Sequence, residues 1–199
     1  ELFEEVAAHG HAPLPLEGVR PHVSNGALAV LRACLPGLAE SGIEAARREL
    51  LVHYRRDLCV HTALFPGHDA LLDGLESRGV PWGIVTNKPG WLAEPLLRRL
   101  GLLDRLGVLV CGDTLPERKP HPAPLRFAAG RLGLDPFDCA FVGDSWRDAQ
   151  AARAAGMASI LLRYGYLNPD DKPESWPADA WLDAPLALLD WLPPVARAA

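Results

Sequence analysis

Two carboxylates four positions apart, Asp144 and Asp148, follow the short apolar run Ala140-Phe141-Val142-Gly143. Such a run reads as a buried parallel strand, and Gly143 permits a tight turn at its end. If a helix starts near Ser145, both acids stand at its first turn, on the edge where open α/β sheets place ligands. Oxygen donors there suit a hard cation, above all Mg²⁺. An ordinary strand–turn–helix, with Asp and Ser as caps, would be written in the same letters. Two further polar groups stand where strands are expected to end: Thr86-Asn87, and Lys119 in Arg118-Lys119-Pro120. Thr86 and Lys119 are 33 residues apart, and Lys119 and Asp144 are 25 apart, room each time for a helix and a strand. Parallel strands bring their carboxyl ends to one edge, so these groups can converge. A hydroxyl and backbone N–H groups would hold phosphate oxygens, an ammonium would neutralise their charge, and a cation would bridge phosphate and carboxylate, which together meet the needs of phosphoryl transfer.

The elements that must position these groups fall into two textures. Residues 1–63 read as helical. A first helix carries Leu2-Phe3 and Val6-Ala7 and ends at His9-Gly10. After the Pro13-Leu14-Pro15-Leu16 loop comes a turn with Leu16, Val19 and Val23, broken by Asn25-Gly26. Ala27 to Leu35 is the next helix, stopped by Pro36-Gly37, and Ile43 to Leu58 follows, with Ala46, Leu50, Leu51 and Tyr54 on one face. Phe65-Pro66-Gly67 breaks the pattern. Beyond it helices (68–78, 91–100, 121–132, 148–155, 186–191) alternate with strands (81–85, 108–110, 140–142, 159–162, 180–182). That alternation predicts an α/β fold, a doubly wound, Rossmann-like parallel sheet with right-handed crossovers. The expected organisation is therefore a helical cap over 1–63 and an α/β core over 64–199.

Composition narrows the function classes. The chain has 199 residues, a net charge of −5 and a pI near 5.8, so it lacks the basic footprint of a nucleic-acid binder. No apolar run approaches the roughly 18 residues of a membrane span, and the opening Glu1-Leu2-Phe3-Glu4-Glu5 is no signal peptide. Cys34, Cys59, Cys111 and Cys139 are scattered without a Cys-x-x-Cys pair and read as small core residues of a reducing compartment. A cytoplasmic protein, monomeric or homodimeric, is expected. The Arg47-Arg48 and Arg55-Arg56 pairs read as a solvated face. No Gly-x-Gly-x-x-Gly follows a strand, which argues against a dinucleotide site. The order Thr, Lys, acidic pair is wrong for a signalling receiver domain.

Ile84-Val85-Thr86-Asn87-Lys88, Lys119-Pro120 and Phe141-Val142-Gly143-Asp144-Ser145-x-x-Asp148 resemble the second, third and fourth motifs of the haloacid dehalogenase-like phosphatases. The resemblance spans nearly the whole chain, with the first part similar to a four-helix-type cap. Its nearest branch resembles the phosphoglycolate phosphatases. Thr86-Asn87-Lys88-Pro89, Leu92-Ala93-Glu94-Pro95 and Tyr164-Gly165-Tyr166-Leu167-Asn168-Pro169-Asp170-Asp171 look especially like the N-acetylmuramic acid 6-phosphate phosphatases. The resemblance implies a Mg²⁺-dependent phosphomonoesterase working through a phospho-aspartate and acting on a small phosphorylated metabolite such as 2-phosphoglycolate or N-acetylmuramic acid 6-phosphate. Thr86 and the backbone at Asn87 would bind phosphate, and Lys119 would hold phosphate and nucleophile. Asp144 would ligate the metal, and Asp148 would support it directly or through water. Gly26 matches a cap loop that faces the active site, and Arg20 is a candidate anion contact for substrate selection. One departure stands out. The family's first motif, Asp-x-Asp-Gly-Thr, with its nucleophile and its acid/base, is absent from the chain. The expectation is a chain shortened at its start, inactive as written, whose sheet lacks its first core strand. The alternatives are a sugar-phosphate mutase of the same superfamily and a non-catalytic homologue that binds a phosphorylated ligand.

Overall fold

The computed structural model describes residues 15–167 and 171–192. The expected helix over Leu2–Gly10 and the Asn168-Pro169-Asp170 part of the last motif lie outside the described residues. The chain divides into two compact units: the first ends at Val60 and also takes Tyr166–Asp171, and the second takes His61–Gly165 and the chain from Lys172 on.

The described part of the first unit is helical. The short helix α1 (Leu16–Val19) runs into a 3₁₀ turn over Arg20–Asn25, followed by α2 (Ala27–Cys34) and α3 (Glu40–Arg56). Gly26 separates the 3₁₀ turn from α2 with φ of 81°, a conformation that only glycine adopts without strain. Leu31, Cys34 and Leu35 from α2 and its end pack on Ile43 and Ala46 of α3, with Val19 and Val30 completing the core. α3 begins a turn before the expected Ile43. Its apolar stripe starts there, but Ala39 is extended and Glu40 opens the helix, where an acidic side chain is favoured by the helix dipole.

The second unit alternates helix and strand. In order come α4 (His68–Ser77), β1 (Gly83–Val85), α5 (Gly90–Arg99), β2 (Val108–Val110), α6 (Ala123–Leu132), β3 (Ala140–Gly143), α7 (Trp146–Ala155), β4 (Ala158–Leu162), β5 (Ala180–Leu182) and α8 (Ala187–Trp191). All strand pairs are parallel. β1 pairs with β2 in the register Ile84 to Leu109, β3 with β4 in the register Val142 to Ile160, and β4 with β5 in the register Leu161 to Trp181. These pairings form two sheets, β1-β2 and β3-β4-β5, in place of the single sheet expected for the three polar strand ends. β1 and β3 share no ladder, yet Val85 and Phe141 pack against one cluster formed by Leu125, Ala129, Ala151, Ala152, Ala155 and Met157. Helices α6 and α7 therefore hold the ends of β1 and β3 together where backbone bonds do not.

A second apolar layer, Leu71, Leu75, Ile160, Leu182 and Leu188, joins α4 and α8 to the β3-β4-β5 sheet. Arg105 fixes α4 from outside: its guanidinium contacts Glu76 Oε1 at 2.9 Å and Asp73 Oδ1 at 2.6 Å, and Trp82 Nε1–H donates to Glu76 Oε1 at 3.1 Å. The Arg105 hydrogen bond holds the Glu76 carboxyl below the usual carboxylate range. Burial pushes the Cys111 thiol, just past β2, up to about 11, with Asp113 and Glu94 adding to the shift.

Candidate active site

The ends of β1 and β3 and the loop before α6 supply the site residues of the second unit; Lys119, expected at a strand end, lies in that loop, well beyond the end of β2 at Val110. β1 stops at Val85 because Thr86 N–H takes the last ladder bond, to Val110 O at 2.8 Å, and the chain then turns. Thr86 Oγ1 accepts the Lys88 N–H at 3.1 Å, an ST turn that occupies a lone pair and leaves the hydroxyl proton available to an acceptor. Gly112 lies against this turn. A Cβ placed on it would sit 2.2 Å from Asn87 O, so only glycine lets the chain after β2 approach so closely.

Asn87 acts through its side chain as well as its backbone. Its Nδ2–H donates to Lys119 O at 2.9 Å, and its Oδ1 accepts the Lys119 N–H at 3.1 Å. This reciprocal pair clips the loop before α6 onto the end of β1. The Lys119–Pro120 peptide is cis.

Lys119 is not the surface lysine that its type would suggest. Its side chain is only 12% exposed. The ammonium donates to Val85 O at 2.7 Å, pairs with Asp148 Oδ1 at 2.8 Å and lies 4.9 Å from the centre of the Phe141 ring. One cation thus links the last carbonyl of β1 to the first turn of α7, across the two strands that share no ladder.

Asp148 is both a helix cap and an ion-pair partner. Its Oδ2 accepts the Ser145 hydroxyl at 2.7 Å, the Ser145 N–H at 3.1 Å and the Asp144 N–H at 3.3 Å. Ser145 and Asp148 are the N-cap and N3 residues of a capping box on α7. The capping reading of this motif and its site reading therefore describe one residue in two roles. Gly143 makes room for it, since a Cβ there would meet Asp148 Cβ at 2.5 Å. Asp144 stands at the end of β3, half-buried, in the turn that leads to α7.

Lys119 and Asp148 meet directly, Asn87 meets Lys119, and Thr86 follows the carbonyl that Lys119 binds. Asp144 adjoins them through its N–H on Asp148. Gly26 and Arg20 belong to the first unit, where Gly26 is exposed with nothing within 4 Å of an added Cβ, and the Arg20 guanidinium lies 5.5 Å from the Tyr166 ring centre. Sequence reasoning did not find the side-chain clip by Asn87, the Ser145 hydroxyl on Asp148, or the Phe141 ring under Lys119. The clip spans 32 residues and leaves no local signature. The Ser-x-x-Asp spacing of Ser145 and Asp148 is the capping-box signal that could have found their contact.

Whether these residues fit a divalent cation is a question of donor chemistry. The acids are hard oxygen donors, and Mg²⁺ is commonly held by one or two carboxylates together with water and substrate phosphate. Asp148 gives its oxygens to Lys119 and to the cap, and Asp144 adds a second carboxylate beside it at the end of β3. No group of three or more His, Cys, Asp or Glu side chains gathers among the described residues.

Comparison with known proteins extends this geometry. A family model for haloacid dehalogenase-like hydrolases matches residues 1–156. A phosphoglycolate phosphatase of Xylella fastidiosa strain 9a5c is 44% identical over 183 residues, covering 92% of this chain and 80% of the relative. An N-acetylmuramic acid 6-phosphate phosphatase of Pseudomonas aeruginosa is 41% identical over 187 residues, covering 94% of this chain and 83% of the relative. Among solved structures, a predicted phosphoglycolate phosphatase from Haemophilus somnus 129pt superposes with a TM-score of 0.85 at 28% identity, covering 96% of this chain and 88% of that one.

Proposed function

Because this chain belongs to the haloacid dehalogenase-like hydrolases and is that of a phosphatase, we propose that it serves the hydrolysis of a small phosphomonoester carrying a carboxylate, 2-phosphoglycolate or N-acetylmuramic acid 6-phosphate. Both are named for relatives of similar identity, and both present an anionic group beyond the phosphate. The observation that carries the reading is the Lys119 ammonium, held at 2.7 Å from Val85 O and 2.8 Å from Asp148. It puts a fixed positive charge beside the Thr86 turn and the Asp144 turn at once.

In this reading each residue does one task. The Thr86 hydroxyl and the Asn87 N–H donate to phosphate oxygens. Lys119 neutralises charge that spreads over those oxygens as the ester bond breaks, and it costs little reorganisation because Asn87, Val85 and Asp148 already hold it in place. Asp144, with Asp148 behind it, holds Mg²⁺, which when bound supplies charge neutralisation at the phosphoryl group. Arg20 and Gly26 contribute to choice of substrate, with the Arg20 guanidinium as the partner for a substrate carboxylate. A cap over residues 1–63 and a core over 64–199 are the working division. The aspartate that accepts the phosphoryl group is not among these 199 residues, which contain no Asp-x-Asp-Gly. A cytoplasmic setting fits the four free cysteines; no helix among the described residues is long and apolar enough to cross a membrane.

The test is phosphate release by the product of the whole reading frame, with and without Mg²⁺, from both substrates. Mg²⁺-dependent release that Lys119→Met abolishes is expected, and the 199-residue chain alone should release none. Release that survives both Lys119→Met and Thr86→Val would overturn the reading.

A further inference from the structure

Gly165 follows β4 by three residues, at the carboxyl edge of the β3-β4-β5 sheet, and meets Asp144 from the neighbouring strand. A Cβ built on Gly165 would lie 2.3 Å from Asp144 Cβ, 2.6 Å from its Oδ2 and 2.9 Å from its Cγ. Real Cβ contacts are never that short, so the two residues cannot both carry side chains with Asp144 where it is. The backbone gives no other reason for a glycine. The glycines that need the left-handed region are Gly26, Gly37, Gly67, Gly79, Gly101, Gly133 and Gly156, and Gly165 is not among them. The three heavy atoms nearest to that Cβ all belong to the Asp144 side chain. The preceding residue is held separately: Tyr164 packs edge-on against Phe65 and His68, with ring centroids 5.8 Å apart in each pair. Asp144 Cβ is fixed by its own backbone, so admitting a methyl group would shift the turn that carries Asp144 and its carboxylate with it.

We propose that Gly165 is a positioning residue for Asp144, a gap left in the loop after β4 so that the carboxylate can lie across the neighbouring strand end and face a divalent cation. This deepens the proposed function and rests on its reading of Asp144 as a metal ligand. Gly165 touches neither substrate nor metal, and it acts by what it does not occupy. An alanine there should displace the turn that carries Asp144, move the carboxylate out of its place and lower cation affinity while the fold survives.

Two readouts on the product of the whole reading frame separate this from a general packing effect. The first is Mn²⁺ affinity by titration calorimetry without substrate. Gly165→Ala should weaken it at least tenfold, as Asp144→Gly should. The second is a double-mutant cycle in melting temperature without metal. Gly165→Ala should lower the melting temperature in the wild type, and should lower it by less than half as much in an Asp144→Gly background, where the opposing side chain is gone. If Gly165→Ala fails to fold alone, recovery of a cooperative melt in the double variant supports the proposal, and failure to recover overturns it. Mn²⁺ affinity within twofold of the wild type in a folded Gly165→Ala, while Asp144→Gly loses the metal, also overturns it. Unchanged affinity in Asp144→Gly itself would instead sink the assignment of Asp144 as a ligand and the proposal with it, whereas a cycle showing no coupling would sink only the role of Gly165.

Discussion

Replacing Lys119 with methionine tests the joint between the two sheets. The side chain keeps nearly its length, so the packing of its aliphatic stem is largely retained. Three things are lost. Val85 O, which accepts the ammonium at 2.7 Å, is left without that donor, at about 1 kcal/mol or more. The Phe141 ring loses its cation, about 1 kcal/mol at a partly desolvated site. Asp148, with a side chain 9% exposed, loses the partner of Oδ1. Breaking a buried pair costs about 3–5 kcal/mol. The three donors that remain on Oδ2 bring this to the low end or under it. These terms overlap, and about 3 kcal/mol is the reasonable total. For a chain of this size about 1 kcal/mol moves the melting point by roughly 2–4 °C, so a fall of about 6–12 °C follows. Calorimetry at pH 7 measures it. Adding Asp148→Asn should recover a good part of the loss, because the stranded charge goes. A Lys119→Met variant melting within about 2 °C of the wild type would show that the lysine carries no structural load, and the account of the joint would fail.

Other outcomes follow from the same contacts. Asn87→Ala breaks both halves of the clip on Lys119 and should cost about 1–2 kcal/mol in a urea titration, while raising KM for the phosphoester. Cys111 has its thiol pushed up to about 11 in the fold, against about 8.5 in an unfolded chain. The folded state thus keeps the proton longer, and its contribution is whole below the unfolded value and lost as pH rises toward the folded one. Urea midpoints should fall between pH 8 and 10.5, and Cys111→Ala should flatten that decline. Glu76 is shifted the other way by its hydrogen bond to Arg105. Its contribution is present above the unfolded carboxyl pKa and is lost as pH falls through the lower folded value. Arg105→Ala should make acid unfolding begin at a higher pH, as followed by circular dichroism.

Much of this architecture was legible because its signals are local. The helix ends at Gly133 and Gly156 were readable, and both glycines take the left-handed conformation that closes a helix, at φ of 72° and 87°. The short strands were readable as apolar runs between turn residues. α7 begins at Trp146, two residues before the expected start, since Ser145 takes the N-cap position and Asp148 closes the capping box from N3. The two-sheet arrangement was not legible, because strand neighbours are chosen by contacts between distant residues. The site divides the same way. Spacing alone suggested that Lys119 and Asp148 could meet, and they do, at 2.8 Å. The Asn87 clip joins a side chain to a backbone 32 residues away, and the gap opposite Asp144 lies 21 residues along the chain, so neither contact can be read from local spacing.

β1 and β3 each pair on one flank only among the described residues. A strand margin without a neighbour is a row of peptide donors and acceptors at the right pitch to recruit another extended segment. A preparation of these 199 residues therefore carries its own adhesive, and concentrating or warming it should favour assemblies built by strand addition over a clean solution species. A short extended peptide that seats on either margin would act as a solubiliser, and its sequence preferences would map which side chains those margins accept.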